Sequence, residues 1–262
     1  MHNGFQIADD EDILLPLALK KYPLLAETLR KDWPAYAEFG YYNVITFAHE
    51  GFEQLLHKAV TETNIINWVE SVRFPVISSR IISIVYAMVE TLKHTKGIEV
   101  ESTVTGNVFF RPKEEGAALE VRMPEECYLE RIDQSHVPLI HSLWPNRNKS
   151  NPEISTNQLM TRVRLNGGLG LFSKENNELL SWSLRGEFGE NAVTHTIEKV
   201  RRKGYAKVVE CAFVNELAKQ GFDAFGVIVS GNVASEALWK FTNGKVKQPS
   251  GCVQMTKLRN RE

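Results

Sequence analysis

The chain has 262 residues, of which 43% are hydrophobic and 24% are charged, and its formal net charge at pH 7 is -1. This composition is typical of a globular protein that forms one large domain or two small ones. The charge balance argues against a nucleic-acid partner, because such binding comes mainly from an excess of Lys and Arg. No apolar run approaches the roughly 20 residues of a membrane-spanning helix, so we expect a soluble protein without a membrane partner.

The cysteines and the N-terminal residues bear on compartment and metal binding. Cys127, Cys211 and Cys252 are odd in number and form no Cys-x-x-Cys pair, so neither a disulfide framework nor a metal site is indicated. The acidic stretch 9–12 is unlike a secretory signal or a typical transit peptide. We therefore expect a cytoplasmic protein that binds no metal.

Helical and extended patterns alternate in the N-terminal half. Apolar spacing over residues 13–31, interrupted by Pro16 and Pro23, predicts two short helices. The next predicted elements are a strand at 43–47, a helix at 80–92, and extended segments at 102–110 and 117–121 that flank a turn.

The polar, turn-prone stretch Met123–Glu126 marks the predicted domain boundary. We place an N-terminal α/β domain at 1–125 and a second domain at 126–262. The second domain is predicted to contain strands at 128–132, 169–173, 179–188, 191–197, 224–229 and 252–257, and helices at 134–144, 156–165, 203–220 and 233–242. This order predicts an α/β fold around a mixed sheet, with hairpins first and crossover connections later.

The segment Arg201-Arg202-Lys203-Gly204-Tyr205-Ala206 lies between a predicted strand and a long helical pattern. A glycine and a small residue at this spacing let the backbone curl closely around phosphate oxygens. The free N–H groups and the dipole of the following helix favour negative charge, and the basic side chains add positive potential. The segment predicts a pyrophosphate-binding turn, with a solvated basic helix start as the alternative.

Two side chains before this turn are candidates for a general base. An aliphatic amine with a pKa of about 10.4 is protonated at pH 7, and presenting it neutral costs about 4–5 kcal/mol without a base. Glu190, at a predicted hairpin, is preferred because partial burial raises the pKa of a carboxylate. His195 is the weaker candidate, since a lone histidine in a strand usually packs or hydrogen-bonds.

Asn232 and Ser235 open the helix that follows the predicted strand at 224–229. Asn232 is a plausible N-cap, with Ser235 three residues further on. Cap and ligand roles are both open for this pair.

These motifs resemble those of the GNAT superfamily of acyl-CoA-dependent N-acyltransferases. Arg201-x-x-Gly204-x-Ala206 has the spacing of that superfamily's phosphate loop, and Asn232-x-x-Ser235-x-x-Leu238 matches a later pattern. Trp239 stands where the superfamily usually has a tyrosine that protonates the departing thiolate. The resemblance implies a GNAT fold in the C-terminal half. A smaller N-terminal α/β domain is expected to pack on it. One interpretation is that this domain is a second GNAT-like lobe without a cofactor site.

Within the superfamily, residues 182–206 are most similar to the glycine N-acyltransferase family. The similarity includes Gly189-Glu190, Thr196-Ile197-Glu198 where that family has Thr-Leu-Pro, and Arg201. That family joins an acyl group from acyl-CoA to glycine or another small amino acid, with a glutamate at the position of Glu190 as the base. The same resemblance makes a mitochondrial location the alternative to a cytoplasmic one.

The resemblance implies how these residues would hold acyl-CoA or acetyl-CoA. Backbone groups of Thr196 and Ile197 would hold the pantetheine arm, and Asn232 and Ser235 would also contact the cosubstrate. The pyrophosphate would be bound by Arg201, Arg202, Lys203, Gly204, Tyr205 and Ala206.

The acceptor is expected to be a small-molecule amine or amino acid. An amino-acid acceptor needs a cation to bind its carboxylate. The candidates for this cation are Arg162, Arg164 and Arg185. A protein or peptide N-acetyltransferase, and a degenerate domain that binds acyl-CoA without turnover, share the expected fold and are the alternatives. Acyl length, acceptor identity and oligomeric state are not indicated by the sequence.

Overall fold

The computed structural model describes residues 42–46, 48, 50–64, 66, 68, 72–149, 152–242 and 244–257. The described chain divides into two compact units, one formed by residues up to 105 together with those from 249 onward, and the other by residues 106–248. The predicted helices within 13–31 lie outside the described residues. The proposed domain boundary after residue 125 stays a prediction.

The described elements alternate between strands and helices along the chain. In chain order they are β1 (Tyr42–Asn43), α1 (Glu53–Glu62), β2 (Val72–Ser78), α2 (Ile82–Lys96), β3 (Ile98–Arg111), α3 (Lys113–Ala117), β4 (Cys127–Arg131), α4 (Val137–Leu143), α5 (Pro152–Asn166), β5 (Gly168–Ser173), β6 (Leu179–Arg185), β7 (Asn191–Thr196), α6 (Tyr205–Lys219), β8 (Ala224–Val229), α7 (Val233–Phe241) and β9 (Lys245–Lys257). Short 3₁₀ turns precede α4 at Gln134–His136 and follow β7 at Glu198–Val200.

The first unit is built on β2, which pairs in parallel with β1 and antiparallel with β9. Helix α2 buries Val85, Met88, Val89 and Leu92, a spacing that places them on one face. This helix ends at Gly97, whose left-handed conformation lets its N–H bond to the Lys93 carbonyl. The buried apolar residues of α2 and β2 form the core of this unit.

The second unit contains an antiparallel sheet in the order β4-β5-β6-β7. Residues of α4, α5 and α6 pack with this sheet in one apolar core, which includes the fully buried Trp182. Residues 106–111 of β3 pair antiparallel with β8 and, with residues of α6 and α7, form a second core. The unit therefore has the mixed α/β construction that the sequence predicts.

Strands β7 and β8 belong to different sheets, and no ladder of hydrogen bonds joins them among the described residues. The register between β6 and β7 shifts because Val193 and Thr194 lie opposite the single residue Ser183. Val193 has φ 54°, a rare value for a β-branched residue that marks a β-bulge. Strand β7 thus has one open edge inside the unit.

Several predicted element bounds differ from the structure. The predicted strand at 117–121 is wrong, because helix α3 covers Lys113–Ala117 and no strand follows before β4. Glu114 and Glu115 favour a helix start electrostatically, and the Lys113 N–H donates to Asp223 Oδ1 at 2.8 Å. Helix α1 and strand β2 were not predicted. No helix in the described ranges is long and apolar enough to cross a membrane.

A buried polar cluster lies close to the start of β7. Glu210 of α6 and Arg111 of β3 are fully buried, and Asn191 Nδ2 donates to Glu210 Oε1 at 2.9 Å. Arg111 Nη2 donates to Thr242 Oγ1 at 2.7 Å, and its guanidinium lies 5.7 Å from the Trp239 ring centre. Burial raises the pKa of Glu210 to about 7, although Asn191 and the charge of Arg111 act in the opposite direction.

This raised pKa predicts how stability depends on pH. The unfolded glutamate ionises near its ordinary value, whereas folded Glu210 keeps its proton until about pH 7, so rising pH favours unfolding across this window. Glu210→Gln removes this contribution, of the order of 3 kcal/mol. We expect urea unfolding at pH 5 and pH 8 to give a smaller stability difference in the variant than in the wild type.

Glu216→Gln, on the same helix, is the control because Glu216 is half-buried and pairs with Arg131, and the wild-type pH dependence should persist. An unchanged difference between pH 5 and pH 8 in Glu210→Gln would show that this carboxyl group does not titrate as described.

Candidate active site

The turn between β7 and α6 contains two residues with left-handed backbone conformations. Arg202 and Gly204 both have left-handed conformations, with φ 66° and 83°. Gly204 is the N-cap of α6 and makes no side-chain cap bond, and a Cβ atom built on it would meet nothing within 4 Å. Residues 201–204 are exposed. The predicted pyrophosphate turn is therefore open to solvent and not blocked by side chains.

The main-chain N–H groups of residues 202–207 have no acceptor within the described part of the chain. The Arg201 N–H, by contrast, bonds to the Glu198 carbonyl, and the Val208 N–H bonds to the Gly204 carbonyl. Successive N–H groups in a turn with left-handed residues form a concavity that binds anions, and the helix dipole adds to this preference. This run of amides is chemically suited to a diphosphate.

The side chains of this turn have separate roles. Arg201 Nε donates to the Thr196 carbonyl at 3.2 Å. Tyr205 is buried, and its hydroxyl donates to Glu126 Oε1 at 2.9 Å, which fixes the start of α6. Lys203 lies 6.0 Å from the centre of the Tyr205 ring. Tyr205 and Ala206 would thus contribute to anion binding only through their main-chain N–H groups.

Thr196 and Ile197, predicted to hold a pantetheine arm, differ in what their backbones offer. The Ile197 N–H donates to the Leu180 carbonyl, and the Ile197 carbonyl accepts from the Val200 N–H. In an antiparallel ladder the next residue, Thr196, directs its backbone polar groups away from β6 and toward the open edge. The Thr196 carbonyl already accepts from Arg201 Nε, so the Thr196 N–H is the better placed donor, while the roles of both residues stay predictions.

Glu190 closes a tight hairpin between β6 and β7. The Gly186 N–H donates to the Glu190 carbonyl at 2.7 Å, and Gly189 adopts φ 84°, as in three-residue hairpin loops. The carboxylate folds back over Gly186, where a Cβ would collide with Glu190 Oε1. Glu190 Oε2 accepts the Phe188 N–H at 2.8 Å. The glutamate is thus held in one orientation by its own turn.

The proton affinity of Glu190 is set by its surroundings. Burial of the carboxyl group raises its pKa to about 7, the nearby charge of Glu187 acts in the same direction, and Arg162 opposes them. A carboxylate with this pKa can both accept and release a proton near neutral pH. The role of Glu190 as a general base stays a prediction.

His195, the second candidate base, packs against Trp182 with ring centres 5.1 Å apart. Its pKa is lowered, first by burial and then by the charge of Arg201. The pair lies directly across the β6–β7 ladder, so the ring is held within the sheet. This packing agrees with the prediction that His195 is a packed residue and the weaker candidate.

Asn232, Ser235 and Trp239 belong to α7. Asn232 Oδ1 accepts the Ser235 N–H at 3.2 Å, so Asn232 caps this helix, and both residues stay predictions as ligands. Trp239 is 4% exposed, and its ring packs against Gly226 and Gly244, which leave no room for a Cβ. Trp239 is therefore a core residue of the second unit.

The three arginines considered for an acceptor carboxylate have different surroundings. Arg162 is buried and paired with the carboxylate of Glu187, Arg164 is exposed, and Arg185 lies 4.7 Å from the centre of the Phe222 ring. The pairing of Arg162 with Glu187 was not predicted, because the two residues lie in different elements of the fold. No group of three His, Cys, Asp or Glu side chains suited to a metal ion occurs in the described ranges.

One protein family and several solved structures are similar to this chain. The family described as FR47-like protein matches residues 168–249, less than half of the chain. A GNAT-family protein from Novosphingobium aromaticivorans superposes with a TM-score of 0.52 at 12% identity, covering 90% of this chain and 95% of its own. For a GCN5-related N-acetyltransferase from Sphaerobacter thermophilus the TM-score is 0.51 at 11% identity, with coverage of 84% and 74%.

The fold is that of the GNAT acetyltransferases. A Drosophila protein solved by X-ray crystallography is also similar, with a TM-score of 0.70, 19% identity and coverage of 82% of this chain and 70% of its own. No curated protein sequence matches this chain. At these identities the solved structures establish the fold and leave the substrate open.

The conformation of Gly204 gives a test of the turn. Gly204→Ala forces a Cβ onto a left-handed residue, which costs about 1 kcal/mol and favours a turn in which the N–H groups no longer converge. We expect calorimetry to show acetyl-CoA binding weakened by about tenfold or more.

Gly221→Ala is the matched control, because Gly221 has φ 86°, is equally open, and lies just beyond the other end of α6. It should lose similar stability and keep its affinity for acetyl-CoA. Equal affinities in the two variants would remove the turn from the binding site.

Proposed function

We propose that this protein is an N-acyltransferase that moves an acyl group from acyl-CoA to the amine of a small acceptor such as glycine or another amino acid. The observation that carries the proposal is the run of main-chain N–H groups at 202–207, which have no acceptor among the described residues and lie next to the open edge of β7. The GNAT fold supports it, since the turn occupies the position between strand and helix expected from the sequence.

Acyl-CoA would bind along the open edge of β7 and at the following turn. The amides of residues 202–206 would hold the diphosphate, and Arg201, Arg202 and Lys203 would add positive potential. The backbone of Thr196 would bond to the pantetheine arm as an added strand does at a sheet edge. The thioester would then lie beside β7, toward the hairpin that carries Glu190.

The reaction would be direct attack of the amine on the thioester carbonyl. The amine nitrogen forms the C–N bond, its proton passes to the Glu190 carboxylate, and collapse of the tetrahedral oxyanion breaks the C–S bond. The departing thiolate takes a proton from water, because the buried Trp239 offers no acid and a free thiol has a pKa of about 8.5. No covalent enzyme intermediate is needed.

The glycine N-acyltransferase family supplies the proposed acceptor class, and the structure adds a constraint to it. Arg162 already has a carboxylate partner, which makes it less suited to bind an acceptor carboxylate. Arg185 ends β6 immediately before the Glu190 hairpin, and this position makes it the preferred candidate. Removal of the Arg185 charge should weaken the binding of acceptors that carry a carboxylate more than the binding of amines that lack one.

Replacement of Glu190 tests the catalytic proposal. In the wild type, the rate should fall as pH drops below about 7, because protonated Glu190 cannot accept a proton. Glu190→Gln should lose roughly 100-fold or more at pH 7 and regain rate as pH approaches the pKa of the amine itself. The measurement is kcat against pH with acetyl-CoA and glycine, beside calorimetry of acetyl-CoA.

Glu198→Gln is the control, because Glu198 is an exposed carboxylate between β7 and the turn. It should keep the wild-type pH profile. Full activity of Glu190→Gln would exclude Glu190 as the base. Acetyl-CoA binding without turnover of any tested amine by the wild type would favour a non-catalytic acyl-CoA-binding domain.

A further inference from the structure

The hairpin that carries Glu190 holds a second, deeper carboxylate. Glu187 is fully buried, three residues before Glu190 and within the same closed loop. A buried carboxylate requires a partner, and Glu187 forms an ion pair with Arg162. The turn therefore carries two carboxyl groups, one paired in the interior and one held over Gly186.

Arg162 reaches this turn from α5 and is itself fixed on two sides. The residue is 6% exposed, and its guanidinium lies 5.6 Å from the centre of the Trp144 ring at the end of α4. In the same helix, Asn166 Nδ2 donates to the Gly186 carbonyl at 2.8 Å, which ties α5 to the first residue of the turn. Helix α5 thus contacts the Glu190 hairpin through a charged and a neutral side chain.

We propose that Glu187 and Arg162 are positioning residues, whose ion pair fixes the hairpin and keeps two opposite charges beside the Glu190 carboxylate. The inference rests on the proposed function in one respect, that Glu190 is the base whose proton affinity matters for the rate. Its structural basis is separate: buried ion pairs contribute little net stability, so this pair has no evident role as a general stabiliser.

The two charges must act on Glu190 in opposite directions. The negative charge of Glu187, from the same turn, disfavours ionisation of Glu190, whereas the positive charge of Arg162, from α5, favours it. The N–H of Phe188 also favours the ionised form through its hydrogen bond. Removal of either charge alone should therefore shift the titration of Glu190, with a sign that depends on which charge is lost.

The experiment follows Glu190 directly, by the pH dependence of its side-chain carboxyl ¹³C chemical shift, and indirectly, by the acidic limb of kcat against pH. Glu187→Gln keeps an oxygen that can accept from Arg162 and removes the negative charge, so the midpoint should move to lower pH. Arg162→Gln removes the positive charge, so the midpoint should move to higher pH. For charges in a protein interior, a shift of about one pH unit is expected in each case.

Two further variants guard against a change that is merely structural. Glu153→Gln, at an exposed position in the first turn of the same helix, should leave the midpoint unchanged. The double variant Glu187→Gln/Arg162→Gln leaves no uncompensated buried charge, should unfold at a temperature closer to the wild type than Arg162→Gln, and should titrate between the two single variants. If Arg162→Gln does not fold, Glu187→Gln and the double variant are compared instead.

Opposite shifts of the two single variants, or a lower midpoint in Glu187→Gln than in the double variant, support the inference. No shift, or shifts in the same direction, overturns it. The ¹³C titration needs no substrate, so the inference can hold even if Glu190→Gln keeps full activity, a result that overturns only the catalytic role of Glu190.

Discussion

The separation of β7 from β8 is the constraint on which the rest of the site depends. A sheet that continued from β7 to β8 would satisfy the backbone of Thr196 internally and leave no edge for a ligand. The bulge at Val193 and Thr194 shifts the register of the ladder with β6, which continues to Thr196. The chain then enters a turn with left-handed residues at Arg202 and Gly204. Open edge and open turn are consecutive along one segment of chain.

The fold places charged groups where they do not favour stability. Glu210 and Arg111 lie near the start of β7, and Glu187 and Arg162 lie beside the hairpin that precedes it. Burial of such groups is costly, and apolar residues of similar volume often stabilise a protein more. Their concentration around β7, together with the raised pKa of Glu190, agrees with a site in which electrostatic control matters more than maximal stability.

The sequence predicted the parts of the site that depend on local chemistry. The glycine at 204 and the basic residues before it predicted the turn, and the Asn232 cap was recognised from its position before an apolar helix. The Glu187–Arg162 pair joins residues from separate elements and has no local signal. Helix α3 lies where a turn was predicted, and the contact between Lys113 and Asp223 that helps to place it joins residues 110 positions apart in the chain. Tertiary contacts likewise made Trp239 a core residue.

The central claim, that main-chain amides at the start of α6 hold the diphosphate of coenzyme A, is tested most directly by ¹⁵N NMR. Acetyl-CoA is titrated into the protein, and 4′-phosphopantetheine, which lacks the diphosphate, serves as the comparison. We expect the amide signals of residues 202–207 to move with acetyl-CoA and to respond much less to 4′-phosphopantetheine. Binding of acetyl-CoA that leaves these signals unchanged, or no binding at all, would contradict the account.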